Sequence, residues 1–297
     1  MDAPVRTARD VVPAVVELRA RIPQSHPSAA VLGEERLGAA VAVAPNAALT
    51  AHYLVLGASE MQLAALDGRR RPVETVAIDH EIGLALLRLG GPPLSPVTVA
   101  SSDGVRPGEP VFMLTCAGGG ERKGATGHVT EVGPFEAFWE YMLDRAIMTT
   151  IVNPGLAGAP LFDARGRLIG VVSLGLAAVG RYSLAVPSAL YLERREELFG
   201  NQPRTRPARG WIGFYPQASD DGVVVTGVVP GGPADLAGLA HGDVVLSLDG
   251  VPASSLRELY LALWRHSPGA RFGLKLLRDD ELLEVLVTAG DRDRFYR

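Results

Sequence analysis

The residues able to do chemistry in this chain are few and scattered. Cys116 is the one thiol among 297 residues and follows the apolar run Val111–Leu114. A thiol becomes a nucleophile in an electropositive, accessible setting, whereas beside an apolar strand the plain reading is a packed residue. His52 is a conceivable general base, and Asp79, His80 and Glu81 a conceivable stray carboxylate or imidazole. Their bland readings are a structural histidine and a polar turn. Gly118-Gly-Gly120 resembles a phosphate loop only loosely, because the lysine and Ser/Thr of that motif are absent. Arg204, Arg206 and Arg209 form a small basic patch, either a solvated tether or a docking point for an acidic partner. Neither C-x-x-C nor H-E-x-x-H occurs, so no metal and no cofactor is expected.

Composition narrows the classes further. The net charge of −4, from 29 basic and 33 acidic residues, argues against a nucleic-acid partner or an anionic membrane surface. No apolar run reaches the roughly 18 residues of a membrane span. The N-terminus lacks the apolar stretch of a signal peptide, so the chain as written reads as cytoplasmic, or periplasmic if a leader is missing. With 34 glycines and 22 prolines as punctuation, strand-like runs recur at Ala14–Ala20, Gly38–Val43, Met61–Ala65, Leu84–Leu89, Pro110–Leu114, His128–Val132, Ile147–Ile151, Leu168–Val172 and Tyr182–Val186. Between the first two, Arg21–Arg36 reads as a surface loop. Helical patterning starts at Pro187–Phe199. A polar linker with two prolines follows, and then a second unit with strands near Val223–Val228, Asp243–Leu248 and Arg271–Leu277. A helix at Leu256–His266 is capped by Ser254 or Ser255 and stopped by Pro268-Gly269.

Ordered motifs along the chain resemble those of the HtrA/DegP family, a trypsin-like protease domain followed by a PDZ domain. They are Pro13-Ala-Val-Val-Glu-Leu-Arg19, Leu49-Thr-Ala-His-Tyr-Leu-Val-Leu-Gly-Ala58, Gly83-Leu-Ala-Leu-Leu-Arg-Leu89, Asn153-Pro-Gly-Leu-Ala-Gly-Ala-Pro-Leu161, Gly166-Arg-Leu-Ile-Gly-Val171 and Leu184-Ala-Val-Pro-Ser188. The second half adds Arg209-Gly-Trp-Ile-Gly-Phe214, Val229-Pro-Gly-Gly-Pro-Ala234 and Ala237-Gly-Leu-Ala-His-Gly-Asp-Val244. The resemblance implies a mostly β protein: a double β-barrel over residues 10–199 after a tail at 1–9, a linker at 200–208, and a small α+β PDZ domain at 209–297.

The departures from the family pattern bear on activity. Where the family has T-x-x-H, Thr50 is followed at the third position by Tyr53. Gly83 stands at the aspartate of D-x-A-L-L, and Ala157 at the serine of G-N-S-G-G-P-L. Acyl transfer needs a nucleophile, a base within reach and a group to orient that base. Tyrosine, glycine and alanine supply none of these. The backbone amides of Gly155 and Ala157 are what the resemblance leaves of an oxyanion hole. His52, one residue early, would point elsewhere, since one position turns a helical side chain by roughly 100°.

The PDZ-like half keeps what its chemistry requires. By resemblance, the N–H groups of Ile212, Gly213 and Phe214 form a nest for a C-terminal carboxylate, and the peptide adds to a sheet edge. Leu256, Leu259, Tyr260 and Leu263, at i, i+3, i+4 and i+7, would line an apolar pocket. Pro216 has no N–H to give an added strand. The expectation is an inactive protease homologue that scaffolds protein C-termini or unfolded polypeptides. The alternative is a member of the serine endopeptidase family with residual or non-family proteolysis in protein quality control, for which Cys116 is the candidate nucleophile. A homo-oligomer or an active paralogue is a further possible partner. The family's aromatic route to a trimer is doubtful, since the first aromatic is Tyr53.

Overall fold

A computed structural model of the chain describes residues 8–66, 68–118, 120–176, 183–219 and 222–297. The expected N-terminal tail lies outside the described residues as far as residue 7. So do Gly119 of the glycine run and Tyr182 at the head of an expected strand. The chain forms two compact units: Met1–Pro134 with Leu143–Pro203, and Phe135–Met142 with Arg204–Arg297.

The first unit holds two closed six-stranded barrels. In the first, β1 (Val15–Arg21), β2 (Glu35–Ala44), β3 (Ala47–Ala51), β4 (Glu60–Ala64), β5 (Arg70–Asp79) and β6 (Leu84–Leu89) close in the order β1-β2-β3-β6-β5-β4. Every residue of Ala47-Ala-Leu-Thr-Ala51 is buried, as suits a strand covered on both faces. The segment expected as a surface loop, Arg21–Arg36, differs from that expectation. It contains a short helix, Ala29–Leu32, and buries Ser28 and Arg36. A buried cation is tolerable when hydrogen-bonded, and the Arg36 guanidinium donates to the carbonyls of Ser28, Gly33, Tyr53 and Leu56.

The second barrel closes as β10-β11-β12-β9-β8-β7, from β7 (Pro110–Cys116), β8 (Arg122–Ala137), β9 (Tyr141–Thr149), β10 (Pro160–Asp163), β11 (Leu168–Gly175) and β12 (Ser183–Pro187). Phe112 of β7 faces Phe162 of β10 in register, with ring centroids 5.1 Å apart. The helix Ser188–Leu198 follows β12 directly.

In the second unit, β13 (Phe214–Ser219), β14 (Gly222–Val228), β15 (Val244–Leu248), β17 (Arg271–Arg278) and β18 (Glu281–Thr288) make a sheet in the order β13-β14-β15-β17-β18, with β16 (Val251–Pro252) on β15. The helix Leu256–Leu263 is capped by Ser255, whose hydroxyl accepts from the Glu258 N–H while the Glu258 carboxylate accepts from the Ser254 N–H. That reciprocal arrangement satisfies donors the helix start would leave orphaned. Leu259 and Leu263 pack with Phe214, Val225, Phe272 and Leu274 in one core. Buried Asp243 takes both nitrogens of the Arg278 fork at 2.6 and 2.8 Å. Residues Phe135–Met142, the end of β8, the turn after it and the start of β9, belong to this unit.

Candidate functional site

A chain of hydrogen bonds links the segments that carry Ala157, Tyr53 and Gly83. The Ala157 carbonyl accepts from the Ala39 N–H at 2.7 Å, and the Ala39 carbonyl accepts from the Thr50 hydroxyl at 2.7 Å. Thr50 leads into the turn His52–Leu54, which carries Tyr53. The His52 N–H then donates to the Gly83 carbonyl at 3.0 Å. Gly158 lets these strands approach: it sits at φ +80°, and a Cβ there would lie 2.1 Å from the Ala39 carbonyl oxygen.

The Tyr53 phenol donates to the Ser173 carbonyl of β11 at 2.6 Å, and burial pushes its pKa up to about 12. Such a group is spent as a structural donor and is a poor base near neutrality. His52 is buried, edge-on to Tyr53 and to His80 at 6.0 and 5.4 Å between ring centroids. Asp79 accepts the N–H groups of Glu81 and Ile82, closing the turn that leads to Gly83. Cys116 is fully buried, and burial pushes its thiol up to about 11.

The backbone remnant is braced by a residue the sequence reading passed over. Asn153 accepts the Gly155 N–H on its Oδ1 at 3.1 Å and donates its Nδ2 to the Leu156 carbonyl at 3.2 Å. The Leu156 N–H donates to the Cys116 carbonyl at 2.9 Å, and the Thr115 hydroxyl to the Leu156 carbonyl at 2.7 Å. One of the two amides assigned to an oxyanion hole, that of Gly155, is thus engaged by a side chain, so this conformation offers an oxyanion no pair of free donors.

The second candidate site lies in the second unit. Gly213 takes φ +74° and turns its own N–H and those of its neighbours to one side, a concave run of donors suited to an anion. A carboxylate lies in it. Oε1 of Glu140 accepts from the N–H groups of Gly213 and Phe214 at 2.6 and 3.2 Å, and Oε2 accepts from that of Ile212 at 3.1 Å. The side chains of Ile212 and Phe214 meanwhile point into the core. Of the expected pocket residues, Leu259, Tyr260 and Leu263 are fully buried and Leu256 is half-buried. The Tyr260 hydroxyl donates to the Ala137 carbonyl and accepts from the Glu140 N–H at 3.1 Å. Sequence reading missed Glu140. Its signal was an acid between aromatics, Phe138-Trp-Glu-Tyr141, at a strand-to-strand turn.

Two closed six-stranded barrels followed by a small sheet with a capped helix define a trypsin-like domain and a PDZ domain. A trypsin-like peptidase domain family matches residues 38–171, and a PDZ domain family matches residues 210–288. Their succession is similar to the HtrA/DegP-like arrangement. Among curated relatives, a "Probable periplasmic serine endoprotease DegP-like" of Halomonas elongata is 29% identical over 262 residues, covering 82% of this chain and 54% of the relative. One of the same name from Chlamydia trachomatis is 27% identical, covering 81% and 51%. The chain therefore spans about half the length of the curated relatives it matches. Among solved structures, the HtrA-type protease AlgW with a decapeptide aligns with TM-score 0.59 at 26% identity, covering 97% of this chain and 98% of that one. No helix among the described residues is long and apolar enough to cross a membrane.

Proposed function

We propose that this chain is a catalytically inactive HtrA-like serine protease homologue that captures polypeptide C-termini through its PDZ domain. The observation that carries the first half is the identity of the residues at the convergence point: Tyr53, Gly83 and Ala157, with the tyrosine hydroxyl committed to Ser173 and the Gly155 amide to Asn153. An alanine forms no acyl-enzyme, and losing one triad member alone lowers turnover by about 10⁴ to 10⁶. The competing reading, proteolysis through Cys116, is disfavoured by a thiol that is buried and held mostly protonated.

The second half is supported by donors at Ile212, Gly213 and Phe214 that hold a carboxylate. A free C-terminus presents the same group, and an apolar last residue suits the neighbourhood of Leu256 and Tyr260. The names of the relatives favour the periplasm over the cytoplasm as the compartment. There, unfolded polypeptides with exposed apolar ends, a second copy of the chain or an active paralogue are the partners that fit this reading.

The test uses the full chain. Incubated with casein, and separately with a fluorophosphonate probe, it is expected to leave casein intact and to remain unlabelled. In parallel, a fluorescent nonapeptide ending in Leu-Val is expected to bind with a free C-terminus and not as the amide. Covalent labelling overturns the inactivity, and equal binding of acid and amide overturns the capture.

A further inference from the structure

The carboxylate in the Ile212–Phe214 nest comes from the chain itself. We infer that Glu140 is a built-in competitor, a side-chain mimic of a C-terminal carboxylate that fills the nest until a peptide displaces it. The inference rests on the reading of that nest as a carboxylate site and says what a ligand must first overcome.

Three independent features point to a seated pseudo-ligand. The first is the contact itself, in which both oxygens of Glu140 take the three amides in succession while Glu140 is only 4% exposed. The second is the backbone. Three residues, Phe138, Trp139 and Glu140, join β8 to β9, and Glu140, the third, has φ +54°. Three-residue hairpin loops of this kind place a left-handed residue at the end, a position that glycine fills at least cost. A glutamate held there is strained, and the nest contacts are the visible compensation. The third is the clamp around it. The Arg292 guanidinium donates to the Glu140 carbonyl at 3.3 Å, Tyr260 holds its N–H and the Ala137 carbonyl, and Arg257 pairs with Glu136 at 3.6 Å. A carboxylate merely parked near donors would not have its main chain held on both sides.

An incoming C-terminus needs the same donors, and one nest cannot serve two carboxylates. The apparent affinity for a peptide is therefore lowered by the fraction of molecules in which Glu140 is seated. Removing the carboxylate raises it. Glu140→Gly is the informative variant, because glycine suits the φ of that position and spares the hairpin. Glu140→Gln keeps the shape and removes the charge.

Two readouts on the full chain separate this inference from the capture on which it rests. Without peptide, amide hydrogen exchange at Gly213 and Phe214 is expected to be about tenfold or more faster in Glu140→Gly than in wild type, with exchange in β17 unchanged. With the free-acid nonapeptide, Glu140→Gly is expected to bind about tenfold or more tightly than wild type, whereas Glu140→Gln, a neutral side chain of the same shape that still fills the nest, is expected to stay close to wild type. Equal exchange rates overturn the seating of Glu140, whatever the peptide does. Faster exchange with unchanged peptide affinity overturns the competition. Faster exchange with no peptide binding to any variant leaves Glu140 as the nest's own occupant and overturns the capture instead.

Discussion

The Gly213 amide donates to Oε1 of Glu140 at 2.6 Å, the shortest of the three bonds that hold that carboxylate. The left-handed φ of both residues makes the contact possible, +74° at Gly213 and +54° at Glu140. One turn exposes its amides and the other delivers the acid.

Acidity should act on this contact with a definite sign. Burial is the main cause that pushes the Glu140 carboxyl from its ordinary 4.5 up to about 7, against the pull of the Ile212 N–H and the Arg292 charge. Tyr260 and Tyr296, which also sense Glu140, have raised pKa values and stay neutral in this range. A group whose pKa is raised in the seated state binds a proton on seating. Seating is therefore strongest below about 4.5 and loses that advantage as pH rises through about 7. Affinity for the free-acid nonapeptide should fall between about pH 8 and about pH 5 in wild type and stay flat in Glu140→Gly, since a terminal carboxyl titrates near 3.5. Fluorescence anisotropy across that range reads it, and identical profiles count against the assignment.

Rebuilding the triad should fail as a simple exchange. In Tyr53→His with Gly83→Asp and Ala157→Ser, the aspartate must occupy φ +75°, a conformation costing about 1 kcal/mol or more for a residue with a Cβ. The Gly155 amide also stays on Asn153. Casein cleavage is expected to remain near background, and adding Asn153→Ala should raise it more than any other single change. Robust activity of the triple variant would show the cleft to be preorganised already.

Arg36 fixes the turn that carries Tyr53. Its guanidinium bridges the carbonyls of Tyr53, Leu56 and Ser28 from a buried position. Burial is also what lowers its pKa to about 10. Arg36→Met leaves those acceptors unsatisfied and should destabilise the first unit by about 2 to 4 kcal/mol, read from the urea midpoint. A cost below about 0.5 kcal/mol would mean that water replaces the side chain.

Asp243 makes a pH-dependent contribution of the opposite sign to Glu140. Burial alone raises its pKa, but the Arg278 hydrogen bonds and the Ala240 N–H outweigh that and hold the carboxyl below the usual range. Its contribution is present above the unfolded pKa and is lost as pH falls through the folded one. Asp243→Asn should cost on the order of 2 kcal/mol near neutrality, less than a fully buried pair because Arg278 is about a third exposed. The deficit should shrink in acid melts.

Cys116 should be silent in the native protein. With its thiol pushed up to about 11 and no surface exposed, iodoacetamide at about pH 8 meets less than about 1% thiolate and no path to it. Labelling is expected only after unfolding in urea, and rapid native labelling would reopen the cysteine-protease reading.

Much of the architecture was legible because it rests on local composition. Largely apolar runs such as Leu84–Leu89 and Pro110–Leu114 marked strands buried on both faces, and Ser255 with Glu258 marked a helix start. Strands without such runs went unseen. β5, Arg-Arg-Pro-Val-Glu-Thr-Val-Ala-Ile-Asp, begins with two arginines and a proline, and β18 sets Glu281 and Glu284 among its first leucines. Their strand state is imposed by neighbours in the sheet rather than by propensity. Tyr53, Gly83 and Ala157, and the run Ile212–Phe214, stand out in the sequence by motif order. Glu140 does not, because it lies 72 residues before Ile212 and only the fold brings them together. Arg36 was hidden for a related reason: burying an arginine depends on carbonyls supplied by a distant turn.

Pro216 sits in β13, the outermost strand of the second unit's sheet, paired with Val225 on its inner side. The outer rim of that strand therefore has a gap in its row of donors. A second β-strand laid along it, from a neighbouring copy or a misfolded chain, cannot complete a continuous ladder. Such an interrupted edge works against edge-to-edge stacking into aggregates.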